Sequence, residues 1–449
     1  MNFELLENRN IMLFGKSRAL SGDEFAMQLQ NHNIHLVDDK DADVALIIEG
    51  RLVNPIEQDR LASLYEERVA PMIEIAEFEK WLCNSIDAPK LLMSLKLSGD
   101  RDRLMGYLQN PYITNDLFLR LLKLYHWEGL GFFESDENRD ITAALISRFY
   151  ENIERNHNVQ YANMGIMHLL HQSNDAELTE TIALLTPLQT ALKEGCDNST
   201  QKILNAIALH PSTSKNVLKQ WLKKGNDEIR MLIAMRHDLD LPLQQYLLSL
   251  NKEIINETLS LNPSIAQEIA LTLLQTFPEN IAKHIELDEA QFRHLVEQYA
   301  LELAQNPTLT IGMQKELLGQ DEDVQLALAG NPKIDGSIFQ ILFESGKAEV
   351  LRHLIANPLM PSDKLRQLFE KDPEIFSADI AANPKTDTGT LRQLANSQNI
   401  EVLLALAKNP SLPVELLYQF QLDRRLERAV KENPSFGKHI QRDNIGWDV

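Results

Sequence analysis

Six Asn-Pro pairs stand in the last third of this chain, at Asn306-Pro307, Asn331-Pro332, Asn357-Pro358, Asn383-Pro384, Asn409-Pro410 and Asn433-Pro434, in steps of 25, 26, 26, 26 and 24 residues. Counting backwards, His284 and Asn262-Pro263 continue the series in two steps of 22, and Arg236 and His210 continue it in two steps of 26. The apolar residues keep the same register. Seven before each marker stand Ile203, Ile229, Ile255, Phe277, Tyr299, Val324, Val350, Phe376, Val402 and Leu426. Three before stand Ile207, Ile233, Leu259, Ile281, Leu303, Leu328, Leu354, Ile380, Leu406 and Val430, usually followed by Ala. Eleven after the markers come Trp221, Leu247, Leu273, Leu295, Leu317, Leu342, Leu368, Leu394 and Phe420. A regularity of this kind is a tandem repeat, and each unit must bury its apolar face against its neighbours rather than in one central core.

The offsets of minus seven, minus three and minus two put one apolar stripe on a short helix, and the positions after the marker do the same for a second helix. Each repeat is therefore a helix pair. Pro ends the first helix because it has no amide hydrogen, and Asn is expected there as a residue that tolerates the left-handed conformation of a helix end. The fold class that follows is mostly α: an α-α superhelix, or solenoid, of about 26-residue helix-pair repeats, preceded by a small α/β domain. The boundary is placed at residues 1–83 and 84–449. Asn110-Pro111 and Asn84 extend the ruler upstream, whereas Asn54-Pro55 falls off it and reads as a turn. Between 127 and 198 the phase blurs, by insertion or by erosion of repeats.

The Ala-x-Asn-Pro signature resembles the leucine-rich repeat variant family, and more broadly the HEAT-type class, from about Thr200 onward. That resemblance implies short helices stacked into a right-handed superhelix, and a recognition surface. An iron-sulfur cluster accompanies such repeats in one member, but the only cysteines here are Cys83 and Cys196, so no cofactor is carried over.

The first eighty residues read differently. "NIMLFG", "IHLV" and "ADVALIIEG" are strand-like, "GDEFAMQLQNH" and "EQDRLASLYEER" are helix-like, and "APMIEIAEFEKWL" reads as a strand running into a helix. This order, with Gly15 after the first strand and Trp81 in the last helix, resembles the BRCT domain. The resemblance implies a phosphate- or partner-binding position at Lys16 and Ser17, with Arg60 where the family carries a Lys. "GKS" lacks the earlier Gly and the flexible loop of a P-loop, so nucleotide binding is not expected.

The formal net charge of −21 opposes an extended nucleic-acid-binding surface, which needs Lys and Arg to replace counterions. Two local basic clusters run against it: Lys215, Lys219, Lys223 and Lys224 around Trp221, and Arg424, Arg425, Arg428 and Lys431. His168 and His171 share a helical face near His157, Glu154 and Asp175, but no second ligand pair accompanies them, and no metal site is expected. Gly129 and Gly131 form no dinucleotide fingerprint. With two cysteines, no apolar leader and no run of 18 apolar residues, the expected location is the cytoplasm, with no membrane contact. The expected function is a non-enzymatic scaffold or adaptor that binds a protein partner carrying basic patches. The alternative is a nucleic-acid-associated protein of DNA repair or replication.

Overall fold

The computed structural model describes residues 3–38, 42–129, 131–151, 153 and 157–437. The protein is a mostly α-helical solenoid preceded by a small α/β region. Its contacts gather into two compact units, Met1–Arg236 and His237–Val449.

In the first unit the α/β region runs β1 (Asn10–Phe14), α1 (Gly22–Asn31), β2 (His35–Leu36), β3 (Val44–Glu49), α2 (Pro55–Glu67), β4 (Met72–Glu74) and α3 (Ile75–Asn84). The strands form one parallel sheet in the order β2-β1-β3-β4. Met12 and Phe14 of β1 share one face with Val44 and Ile47 of β3, where Leu61 and Leu64 of α2 cover them; a bulge opposite Asn10 and Ile11 brings Val44 and Ile47 to the same side. The other helices meet each other through aromatic rings: Phe25 of α1 lies 6.1 Å from Phe78 of α3, and Phe3 lies 5.5 Å from Phe78. Gly15 takes φ +75°, and a Cβ there would stand 2.4 Å from the Arg51 carbonyl oxygen, so the turn after β1 admits no other residue. Asn54 is no ordinary turn residue. It caps α2 in a reciprocal capping box with Glu57, and Pro55 takes the first helical position.

Helices α4 (Ala88–Ser98), α5 (Arg101–Gln109), α6 (Asn115–Leu122) and α7 (Asp136–Phe149) follow. The loop between α6 and α7 is organised by buried Asn138, which accepts from the Tyr125 hydroxyl and donates to the carbonyls of Glu128 and Gly131. Beyond it the 26-residue step is lost, since Ser173 stands 37 residues before His210, but the local pattern recurs. Ile166 and Leu170 are fully buried seven and three residues before Ser173, and the Ser173 carbonyl receives the His210 ring at 3.0 Å.

The second unit carries the regular repeats. Residues three before the markers are all fully buried there, and the Ala residues beside them let the first helices of neighbouring repeats pack directly on one another. The short steps around His284 have a visible cause. One repeat is built from helices of only seven and five residues, Gln267–Leu273 and Pro278–Ala282. In the next, both helices are fused as Glu289–Ala304, with a kink at Tyr299 in place of a connecting loop.

The marker Asn residues do not adopt the expected left-handed conformation. Asn331, Asn357, Asn383 and Asn409 are extended, at φ −63° to −72° and ψ 121° to 133°, as the following proline requires. They are also buried, and their amides bridge repeats. Asn357 Nδ2 donates to the carbonyls of Ala329 (2.7 Å) and Asn331 (2.8 Å), while its Oδ1 accepts the Leu359 N–H at 2.9 Å. Asn306, Asn331, Asn409 and Asn433 repeat this pattern. Each Asn thus satisfies helix-end carbonyls of the preceding repeat and one amide of its own turn. Where the letter has changed, the task has not. Arg236 donates to the carbonyls of Ala208 and His210, both at 2.8 Å, and the His284 ring pairs with the Ser260 carbonyl at 2.8 Å.

Candidate functional site

Three surfaces arise from this architecture. The first lies in the α/β region, where β2 is only two residues long. After Val37 donates its N–H to the Ile11 carbonyl at 3.0 Å, the chain leaves the sheet, and the Asp38 carbonyl is taken by the Arg60 guanidinium. A cavity of about 780 Å³ opens beside the abandoned edge of β1. Its walls are Leu13, Phe25, Ala26, Leu29 and Leu36, and its rim includes Lys16, Ser17, Gln30, Asn33 and His35.

Lys16 and Ser17 are thus brought together at one cavity. Arg60 is not among its lining: its guanidinium sits 5.6 Å above the Phe14 ring, on the side of the sheet covered by α2. The backbone amides that follow Ser17 also have a partner from within the fold. Arg18, Ala19 and Leu20 direct their N–H groups to the carboxylate of fully buried Glu79, at 2.9 to 3.1 Å. An anion already occupies the loop, and it belongs to α3. Nothing in the sequence marked Glu79, because a carboxylate holding a distant loop has no local pattern.

The second surface is the helix Lys215–Lys224. Lys215, Lys219 and Lys223 point outward, while Lys224 reaches the Gln189 side chain at 3.0 Å. Trp221 is completely buried and belongs to the core beneath them, so its indole offers the lysines no stacking platform. Near the end of the chain, Arg425, Arg428 and Lys431 are paired with Asp423, Glu432 and Glu427 at 2.7 to 2.8 Å. His168 stacks on Tyr150 at 5.6 Å. Among the described residues, no three His, Cys, Asp or Glu side chains gather as ligands of a metal would. Glu154 and the side chain of His157 lie outside the described residues. Burial pushes the Cys83 thiol up to about 11, and Asn110 Nδ2 lies 3.3 Å from its sulfur.

The third surface is the exposed side of the first helices in the second unit. A groove of about 600 Å³ crosses three of them, lined by Leu301, Gln305, Asp323, Leu326, Ala327, Gly330 and His353. Next to it Arg352 lies between Glu349 at 2.5 Å and Asp379 at 3.7 Å, and burial raises the Asp379 carboxyl above its ordinary value despite the nearby guanidinium. The groove forms because Ala327 and Gly330 project little beyond the backbone between the larger Leu301 and Leu326.

No protein-family model matches the chain, no curated protein is significantly similar to it, and no solved structure matches its fold. No helix among the described residues is long and apolar enough to cross a membrane.

Proposed function

We propose that this protein is a non-enzymatic, cytoplasmic recognition scaffold that holds a protein partner along the exposed face of its repeat helices. One observation carries the reading. The interior repeat positions stay apolar, whereas positions five, four and one before the marker mix apolar, small and charged residues: Leu301, Glu302, Gln305; Leu326, Ala327, Gly330; Arg352, His353, Ala356; and Ala378, Asp379, Ala382. A stacked array that keeps its interior apolar and varies one outward face is suited to recognising an extended surface. The acidic balance of the chain favours a partner with basic patches. The Ala-x-Asn-Pro register supports kinship with leucine-rich repeat variant and HEAT-type repeats. The strand-helix order of the first eighty residues supports a BRCT-like region, through which nucleic-acid association in repair or replication would be the second reading, together with the outward Lys215, Lys219 and Lys223.

Affinity capture with the full-length chain tests this, using the wild type, an Ala327→Arg/Gly330→Arg variant that fills the groove, and nuclease-treated native lysate. Proteins retained after nuclease treatment and lost with the variant are the expected result. Capture that vanishes with nuclease and ignores the variant would transfer the function to nucleic acid.

A further inference from the structure

The cavity beside β1 has features of an unfinished sheet. Along β1, Arg9 and Ile11 offer their carbonyls to His35 and Val37, whereas Gly50 binds the Phe14 carbonyl from the β3 side. By this alternation the N–H and C=O of Leu13 face the β2 side. Among the described residues nothing pairs with them: β2 ends at Leu36, and the Asp38 carbonyl accepts from the Arg60 guanidinium. An open strand edge next to an apolar trough is a template for an added strand. Phe25, Ala26, Leu29 and Leu36 provide the trough, and Leu36 is 51% exposed.

Charge narrows the choice of occupant. In a chain of net charge −21, no Asp or Glu is among the described residues that line this cavity, and Lys16 stands at its mouth. Lys16 is tied by backbone pairing to Arg51, whose carbonyl accepts its N–H at 2.7 Å, so a second cation adjoins the first. The loop amides beyond it are closed to an incoming anion by Glu79. The side chains of Lys16 and Ser17 are what remains to receive one.

We infer that this cavity binds an extended peptide segment of a partner protein, which pairs with the Leu13 backbone, places an apolar side chain against Phe25 and Leu29, and sets an Asp or Glu against Lys16. This site lies in the first unit, and the inference stands apart from the reading of the repeat face.

Linear decapeptides selected from a random library on the full-length chain, with counter-selection on Ala26→Trp, test it by fluorescence anisotropy and hydrogen exchange. Selected peptides should alternate apolar residues and carry Asp or Glu. Their affinity should fall at least tenfold with Ala26→Trp or Gln30→Trp and severalfold with Lys16→Glu. Exchange of the Leu13 amide should slow on binding. All three substituted residues line the cavity, and a melting curve for each variant checks that its fold is intact. Failure to recover any peptide that survives counter-selection would overturn the proposal, as would unchanged exchange at Leu13. Dodecanoate that competes for the cavity without slowing Leu13 exchange would reassign it to small amphipathic anions and equally overturn the peptide reading.

Discussion

The α/β region and the repeat array each rely on single buried polar side chains to hold backbone groups in place, and they do so in opposite senses. In the α/β region one carboxylate, Glu79, accepts three successive N–H groups from a loop some sixty residues away in sequence. In the repeats a neutral amide faces the other way, and each Asn mainly supplies hydrogen to two carbonyls of the preceding unit. The loop after β1 presents clustered donors and needs an acceptor, whereas helix ends present clustered acceptors and need a donor. The ladder tolerates substitution by His and Arg because both are donors long enough to reach a carbonyl. Glu79 has less latitude, since all three amides converge on its Oε1, with Ala19 also reaching Oε2, and a charged carboxylate is the strong acceptor such a cluster of donors calls for.

Breaking this comparison at its strongest point means removing Glu79. Glu79→Ala leaves three amides without their acceptor, and the expected loss is about 3 kcal/mol of stability, taking ~1 kcal/mol for each unsatisfied group. Denaturant unfolding measures it, and a loss no greater than that of a surface alanine substitution would show that the loop does not depend on the carboxylate. Second in size is Asn357→Ala, which strands two carbonyls and one amide between neighbouring repeats and should cost about 2 kcal/mol, water replacing part of what is lost. Asn357→His should recover a share of that loss, since His performs this role at position 284.

The smallest effect is a pH dependence that sharpens the contrast between Asn and His in the ladder. Burial lowers the His284 pKa below its ordinary 6.5, against the opposing pull of the Ser260 carbonyl. The unfolded chain therefore binds the proton more readily, and the contribution of neutral His284 is complete above about pH 6.5. It declines as pH falls from there through the depressed folded value. His284→Asn should flatten this part of the stability-pH curve while leaving the plateau above pH 7 nearly unchanged, as thermal melts across pH 5 to 8 would reveal.

Repetition explains why so much of the array was legible. Ile233, Leu328 and Leu406 could be assigned to the core because the same offset recurs, and all three are fully buried. Trp221 shows the limit of reading charge without packing. Four lysines around it suggested a surface cluster, yet position eleven after a marker is a core position, and the indole is enclosed while the lysines project. The cavity beside β1 was half visible. Lys16 and Ser17 came from strand order and resemblance, but Phe25, Ala26 and Leu36 join them only because β2 stops after two residues.

From the sequence alone came the period, the helix pairs, the buried register and the small α/β region ahead of them, since each rests on spacing along the chain. Tertiary structure decided what the polar residues do: that Asn357 bridges repeats in an extended conformation, that Glu79 closes the loop after Ser17, and that Lys16 and Ser17 stand at the rim of an apolar cavity beside β1. Apolar burial is nondirectional and leaves its trace as periodicity, whereas a hydrogen bond is directional and joins atoms whose proximity exists only once the chain has folded.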